Sequence, residues 1–171
     1  FMPLINKKVN LLPENKMFSY ISWPISRLIK KGKLYIALIR LFSKFYGDFR
    51  ARIKKTATIN TTLCKKIVSR IVKKIPKHYD VALGFLGPHY FLSNKVDADL
   101  KIGWVHTDYG SDTEYPDIEF TLPMWAKLDF IACVSEQVKT SFDKIYPSLQ
   151  EKNVVIENIF SSDFVKARAE E

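Results

Sequence analysis

Residues suited to a binding or catalytic site stand at the ends of four short apolar runs in the second half of the chain. Histidine and carboxylate side chains exchange protons and accept hydrogen bonds, and serine and asparagine add hydroxyl and amide groups. Glycine lets a ligand approach the backbone closely. These residues are Gly84, Gly87, His106, Asp108, Ser135, Glu136 and Asn158. If the four run ends meet in space, they form a polar site.

The apolar runs themselves predict how those residues are positioned. They span residues 80–87, 101–108, 129–136 and 153–158, are rich in β-branched and aromatic residues, and alternate with helix-like stretches. Runs of this kind are typical of buried strands in a parallel sheet. Ligands of such sheets bind beyond the carboxyl ends of the strands. The sequence therefore predicts an α/β fold, a Rossmann-like parallel sheet with helices on both faces, and a site at the carboxyl edge of the sheet.

Size and composition limit the class of protein. A chain of 171 residues that is 47% apolar has room for one globular domain, and no stretch reaches the ~20 apolar residues of a membrane span. Cys64 and Cys133 fall in different predicted elements, which favours reduced core thiols and a cytoplasmic protein. The three histidines and two cysteines show no zinc-type spacing. We expect neither a metal nor another cofactor.

Charge is distributed unevenly along the chain, whose net charge is +9. Residues 24–77 carry sixteen basic side chains and one acidic side chain, whereas residues 78–171 carry eight basic and sixteen acidic ones. A basic segment followed by an acidic one indicates an anionic partner for the first part and separate chemistry in the second.

The basic segment contains a helix with an unusually wide apolar arc. Ten of the thirteen residues from Leu34 to Tyr46 are apolar, and Gly47 is a plausible stop for this helix. The arc fits either insertion at a membrane surface or a core helix that packs on the sheet, and both interpretations stay open. We find no nucleic-acid-binding module. The residues expected at a membrane surface are Arg27, Lys30, Lys31, Lys33, Arg40 and Lys44.

Four motifs resemble the N-terminal domain of glycosyltransferase family 4, the retaining nucleotide-sugar transferases of GT-B fold. They occur in this order over roughly residues 77–171: Lys77-His-Tyr-Asp-Val-Ala-Leu-Gly84, Lys101-Ile-Gly-Trp-Val-His-Thr-Asp108, Asp129-Phe-Ile-Ala-Cys-Val-Ser-Glu136 with Tyr146-Pro147 behind it, and Lys152-Asn-Val-Val-Ile-Glu-Asn158. The glycine-rich loop and the glutamate pair of the family are not found in this sequence.

The resemblance implies a two-domain enzyme in which the acceptor binds the N-terminal domain and the nucleotide sugar binds mainly the C-terminal one. Residues 1–160 are then the acceptor-side domain, truncated at its start, and residues 161–171 begin the linker to a donor-binding domain. Alone, such a fragment is expected to be inactive. The implied reaction is sugar transfer to a glycan or lipid-linked acceptor in bacterial surface polysaccharide synthesis, at the inner face of the membrane.

The resemblance also implies roles for individual residues. His106 faces the transferred sugar and is the implied catalytic residue, although its sequence context also fits a loop histidine that binds backbone groups. A helix N-cap is the better interpretation of Ser135 than a nucleophile. The implied acceptor-binding residues are Phe85, Gly87, Thr107, Asp108 and Tyr109, and the cleft-lining residues are Ser135, Glu136 and Asn158. Asp112 is a further candidate for binding acceptor hydroxyls, but for the acids after Asp108 a solvated loop and helix start is the favoured interpretation.

The rival interpretation belongs to a different class of protein. A non-catalytic α/β module that binds an anionic partner, either nucleic acid or a membrane surface, would equally use the basic segment. Salt-dependent binding to oligonucleotides, without binding to sugars or anionic vesicles, would favour such a module with nucleic acid as its partner. A dinucleotide-binding enzyme is disfavoured because no Gly-x-Gly-x-x-Gly motif occurs.

Overall fold

A computed structural model describes residues 6–108 and 116–158 and the single positions 166 and 169. These residues contain a four-stranded sheet with strands β1 (His78–Gly84), β2 (Asp97–Val105), β3 (Phe130–Cys133) and β4 (Asn153–Val155). The strands lie in the order β1-β2-β3-β4, and each neighbouring pair is parallel. The predicted α/β fold with a parallel sheet flanked by helices is confirmed, and each strand overlaps one of the apolar runs.

Helices occupy the rest of the described chain. The four that precede the sheet are α1 (Lys16–Ile21), α2 (Ile25–Lys30), α3 (Leu34–Lys54) and α4 (Asn60–Ile71). Those between the strands are α5 (Tyr90–Lys95), α6 (Ile118–Trp125) and α7 (Glu136–Ile145), and a 3-10 helix (Pro147–Lys152) leads into β4. Each strand-to-strand connection contains at least one helical segment, as is usual for the crossover connections of parallel strands.

One face of the sheet forms the main core. The strand register places alternate residues of neighbouring strands side by side, so that Gly103 lies next to Ile131 and Val105 next to Cys133. The apolar residues of this face are buried together with residues of α5, α6 and α7, among them Leu92, Trp125 and Phe142. Burial of large side chains from three helices on one sheet face supplies the main apolar contribution to folding.

The opposite face of the sheet is covered less completely by the described residues. Val81, Leu83, Leu100 and Phe130 point to this face by register, and their exposed fractions range from 39% to 59%. One face of the sheet is therefore buried under helices, and the other face leaves apolar side chains exposed to solvent.

A second core joins the N-terminal helices. Leu28 of α2, Ile36 and Ala37 of α3, and Val68 and Val72 at the end of α4 are buried together. Aromatic residues of α1 and Phe91 of α5 pack around this cluster. Because Phe91 belongs to a helix that also lies against the sheet, the two cores are continuous through α5.

The prediction that Gly47 ends its helix is wrong. Helix α3 continues through Gly47 to Lys54, and Lys55, with a φ of 53°, follows its last turn. Gly47 is buried where α3 meets the start of α4, and a Cβ at this position would overlap the Asn60 side chain. The glycine permits close approach of two helices, which is a tertiary requirement that a local pattern does not reveal.

Candidate functional site

Three aromatic rings cluster at the carboxyl ends of β1 and β2. Phe85 directly follows β1, Trp104 is near the end of β2, and His106 directly follows β2. The centroids of the Phe85 and His106 rings lie 4.5 Å apart in an edge-to-face arrangement, and those of Phe85 and Trp104 lie 5.9 Å apart. Parallel strands end at the same edge of a sheet, so the two predicted strand ends do meet.

The backbone just after β1 fixes the orientation of His106. Its Nε2 lies 2.8 Å from the carbonyl oxygen of Phe85. A carbonyl only accepts, so Nε2 donates this hydrogen bond and carries the proton. In the neutral ring Nδ1 is then an acceptor. The structure therefore presents His106 as an oriented, half-buried group that can accept a hydrogen bond from a hydroxyl.

The next polar groups along this edge link β2 to the start of α7. Gln137 Nε2 donates to Asp108 Oδ2 over 3.2 Å, so the loop after β2 contacts the first turn of the helix after β3. Ser135 caps that helix, and its Oγ accepts a hydrogen bond of 3.3 Å from the Val138 N–H. The N-cap interpretation of Ser135 is confirmed, and its hydroxyl has a structural partner.

Sequence reasoning missed His89, which is buried beneath this edge with only 2% of its surface exposed. Its Nε2 lies 3.2 Å from the carbonyl oxygen of Trp104, and its ring meets Trp125 edge to face with centroids 5.0 Å apart. Burial lowers the pKa of His89, because the charged ring would lose its hydration. A neutral His89 donates a hydrogen bond to the Trp104 carbonyl oxygen and so stabilises the end of β2.

Two glycines make room for that buried ring. Gly84 of β1 and Gly103 of β2 are register partners, and a Cβ on either would collide with His89. Leu128 also lies against Gly103. Glycines in two neighbouring predicted strands were the available signal, because paired glycines in a sheet indicate a close approach by another group.

The other candidate residues are more dispersed. Gly87 lies in the exposed loop after β1, where its carbonyl oxygen accepts a hydrogen bond of 3.4 Å from Lys65 Nζ. Thr107 and Glu136 are exposed, and Asn158 is exposed three residues beyond β4. Tyr109 and Asp112 lie outside the described residues.

The basic residues expected at a membrane surface differ in their surroundings. The Arg27 guanidinium stacks over the Trp23 ring at 4.0 Å, and Arg40 donates to the Trp23 carbonyl oxygen. Lys44 forms an exposed ion pair of 2.9 Å with Asp48. The other three are at the junction of α2 and α3: Lys30, Lys31 and Lys33.

Within residues 6–108 and 116–158, no three His, Cys, Asp or Glu side chains come close enough together to hold a metal ion. The two cysteines, Cys64 and Cys133, are buried and unpaired.

No family model, curated protein or solved structure matches this chain. The resemblance to glycosyltransferase family 4 therefore stays a prediction from the sequence motifs.

Proposed function

We propose that this chain is the acceptor-side domain of a retaining glycosyltransferase, which moves a sugar from a nucleotide sugar to a glycan or lipid-linked acceptor in surface polysaccharide synthesis. The observation that supports this most is the orientation of His106, fixed through Nε2 by the Phe85 carbonyl at the carboxyl edge of a parallel sheet. That edge is where ligands of such sheets bind.

The arrangement suits a saccharide chemically. The exposed ring of Phe85 offers an apolar surface for the C–H face of a sugar, while His106 Nδ1 and the Asp108 carboxylate accept hydrogen bonds from hydroxyl groups. A polar group held in advance near the anomeric carbon stabilises the charge that develops during transfer. In this proposal His106 contacts the transferred sugar and Asp108 contacts the acceptor.

The proposal assigns the donor diphosphate to a separate domain, as the family resemblance implies. The 171-residue chain should then show no transfer and little affinity for nucleotide sugars. We place the reaction in the cytoplasm, in keeping with two buried, unpaired cysteines, and next to the inner membrane face that would carry a lipid-linked acceptor.

Nuclear magnetic resonance of the histidine rings tests the acceptor part of the proposal. The chain has three histidines, so the ring signals can be assigned with His78→Gln, His89→Gln and His106→Gln variants. Titration with octyl glucoside, octyl galactoside and octyl N-acetylglucosaminide, kept below micelle-forming concentrations, should shift the His106 signal with at least one of them. His78, at the amino end of β1, is the internal control and should not move.

Two results would overturn the proposal. The first is a His106 signal that no glycoside moves more than the His78 signal. The second is tight binding of a nucleotide sugar to the chain alone, with a dissociation constant in the low micromolar range, or about −8 kcal/mol, by calorimetry with UDP-glucose, UDP-galactose and GDP-mannose.

A further inference from the structure

Helix α3 has an apolar stripe along its exposed side. Seven apolar residues, each three or four positions from at least one other of the set, have exposed fractions from 47% to 80%: Leu34, Leu38, Leu41, Phe42, Phe45, Phe49 and Ile53. Residues at this spacing share one face of a helix. Since α3 has 21 residues, the apolar stripe is about 30 Å long.

The apolar stripe is additional to the face that α3 uses for folding. Ile36, Ala37, Ser43 and Gly47 of the same helix are buried against α2 and α4. The wide apolar arc in the sequence therefore divides into two faces, one in the core and one in solvent. Large exposed apolar patches of this kind mark interaction sites.

Basic residues surround the apolar stripe. Lys30, Lys31 and Lys33 precede it, Lys44 flanks it, and Arg52, Lys54 and Lys55 lie at its end. The only acidic residue from position 24 to 77 is Asp48, which is paired with Lys44. Lys54 is paired with Glu119 of α6 over 3.0 Å. Two of the seven basic residues are therefore ion-paired, and the surface is apolar in the middle with a net positive charge around it.

This combination selects one kind of partner. A second copy docked stripe to stripe would bring two basic segments together, and their repulsion opposes such a dimer. Nucleic acid would neutralise the lysines but leave the apolar side chains in water. An anionic bilayer accommodates both, because its headgroups attract the lysines and its acyl chains receive the leucine and phenylalanine side chains.

We propose that α3 binds flat on an anionic lipid bilayer, with the apolar stripe inserted at the boundary between headgroups and acyl chains. Insertion of such helices reaches about 5–10 Å below the headgroup level. Among the described residues no helix is both long enough and apolar enough to cross the membrane. Membrane binding by α3 does not depend on sugar transfer, so it is tested independently of the proposed function.

Co-sedimentation of the chain with vesicles measures the partition coefficient. Vesicles of phosphatidylcholine with 30% phosphatidylglycerol are compared with phosphatidylcholine alone, at low and high salt. We expect binding that is at least tenfold stronger with the anionic lipid and that weakens with salt, because the Debye length falls from about 10 Å at 0.1 M salt to about 3 Å at 1 M.

Serine substitutions test the apolar stripe with a matched control. Leu38 and Leu86 are both leucines with similar exposure, at 66% and 76%, but Leu86 lies in the loop after β1. Leu38→Ser should lower the partition coefficient about tenfold, and Leu38→Ser with Phe45→Ser about a hundredfold, as expected when inserted side chains are lost. Leu86→Ser should change it less than twofold.

Charge removal tests the basic surroundings. Replacement of Lys30, Lys31 and Lys44 by Gln should lower binding to the anionic vesicles roughly a hundredfold, at about fivefold for each charge. Replacement of Lys101, Lys127 and Lys144 by Gln removes the same charge elsewhere and should have a much smaller effect. Circular dichroism and melting curves verify that every variant is folded.

Four outcomes would overturn the inference. Leu38→Ser and Leu86→Ser with equal effects would show that the apolar stripe has no special role. Equal binding to both kinds of vesicle would remove the role of the lysines. A dimer in sedimentation velocity that Leu38→Ser dissociates, or tight oligonucleotide binding without vesicle binding, would assign the surface to another partner.

Discussion

Arg50 of α3 and Asp117 at the start of α6 form a two-pronged ion pair that ties the N-terminal helices to a helix that covers the sheet. Arg50 Nη2 lies 3.1 Å from Asp117 Oδ1, and Nε donates to Oδ2. Asp117 also caps α6 by accepting from the Phe120 N–H over 3.1 Å, and only 3% of its side chain is exposed. Burial opposes ionisation of Asp117, but the hydrogen bonds from Arg50 and the Phe120 N–H outweigh it and lower its pKa.

The first prediction concerns this pair. Arg50→Met should lower the free energy of unfolding by about 3 kcal/mol, because it leaves a buried carboxylate without its cation. Lys44→Gln, which breaks the exposed pair with Asp48, is the control and should cost less than about 0.5 kcal/mol. Urea denaturation at pH 7 measures both. Equal losses in the two variants would contradict the assigned role of Arg50.

A pH series extends the same prediction. Because the pKa of Asp117 is lowered by folding, its contribution is present above the unfolded value, about 3.9, and is lost as the pH falls through the folded value. Arg50→Met should therefore make unfolding less sensitive to acid between pH 5 and 2. An unchanged acid dependence would contradict this assignment.

The second prediction concerns the glycines above His89. Gly103→Ala should destabilise the fold by about 1–3 kcal/mol, because its Cβ would lie 2.8 Å from His89 Cδ2 and also against Leu128. Gly84→Ala should act similarly, and its cost should shrink when His89 is also replaced by Ala. Gly87→Ala is the control, since the nearest atom to its Cβ would be 3.8 Å away. Additive costs of Gly84→Ala and His89→Ala in a double-mutant cycle would show that the ring is not the obstacle.

The third prediction concerns two histidines with opposite pH behaviour. The folded pKa of His89 is lowered, so its contribution is present above the unfolded value, about 6.5, and is lost as the pH falls through the folded value. The attraction of Asp99, helped by Asp97, raises the pKa of His78, so its contribution is present below about 6.5 and is lost as the pH rises through the folded value. His78→Gln should therefore increase the free energy of unfolding that the protein loses as the pH falls from 7.5 to 5.5. A smaller loss, or a His89 ring that titrates above 6.5, would contradict it.

The fourth prediction follows from the proposed function and concerns His106 in a longer protein that would include the donor-binding domain. His106→Ala should lower turnover by roughly 10²-fold or more, as expected for the loss of one polar group near developing charge. The unfolding free energy should fall by about 1 kcal/mol at most, because the lost hydrogen bond to Phe85 lies at the surface. Asp99→Asn, at the amino end of β2, is the control and should keep full turnover. Full activity of His106→Ala, or collapse of its folding, would make His106 a structural residue.

The structural features that the sequence predicted correctly depend on residues that are close together in the chain. The four strands follow from short apolar runs, and the Ser135 cap follows from a serine placed three positions before the amide that it accepts from. The hydrogen bond of His106 with Phe85 joins residues 21 positions apart. It depends on the pairing of β1 with β2, so local sequence did not predict it.

The features that were missed depend on distant contacts. Gly47 makes room for Asn60, and His89 fits under glycines from two different strands. The regular apolar spacing of helix α4 continues in the sequence to Ile75, but the helix ends at Ile71, and the Ile75 N–H instead donates to the Lys95 carbonyl oxygen over 2.9 Å. In each case a tertiary contact outweighs the local pattern.

The strand order has a consequence for how the protein is made. Each strand pairs with the strand synthesised just before it, so no described strand has to be inserted between two others. Strands β1 and β2 can pair once residue 105 has left the ribosome, and β3 and β4 then add one at a time to the edge formed last. When strands are added in sequence order, each loop that closes is short. The edge strand formed last is soon paired by the next strand, which limits the time in which it can pair with another chain.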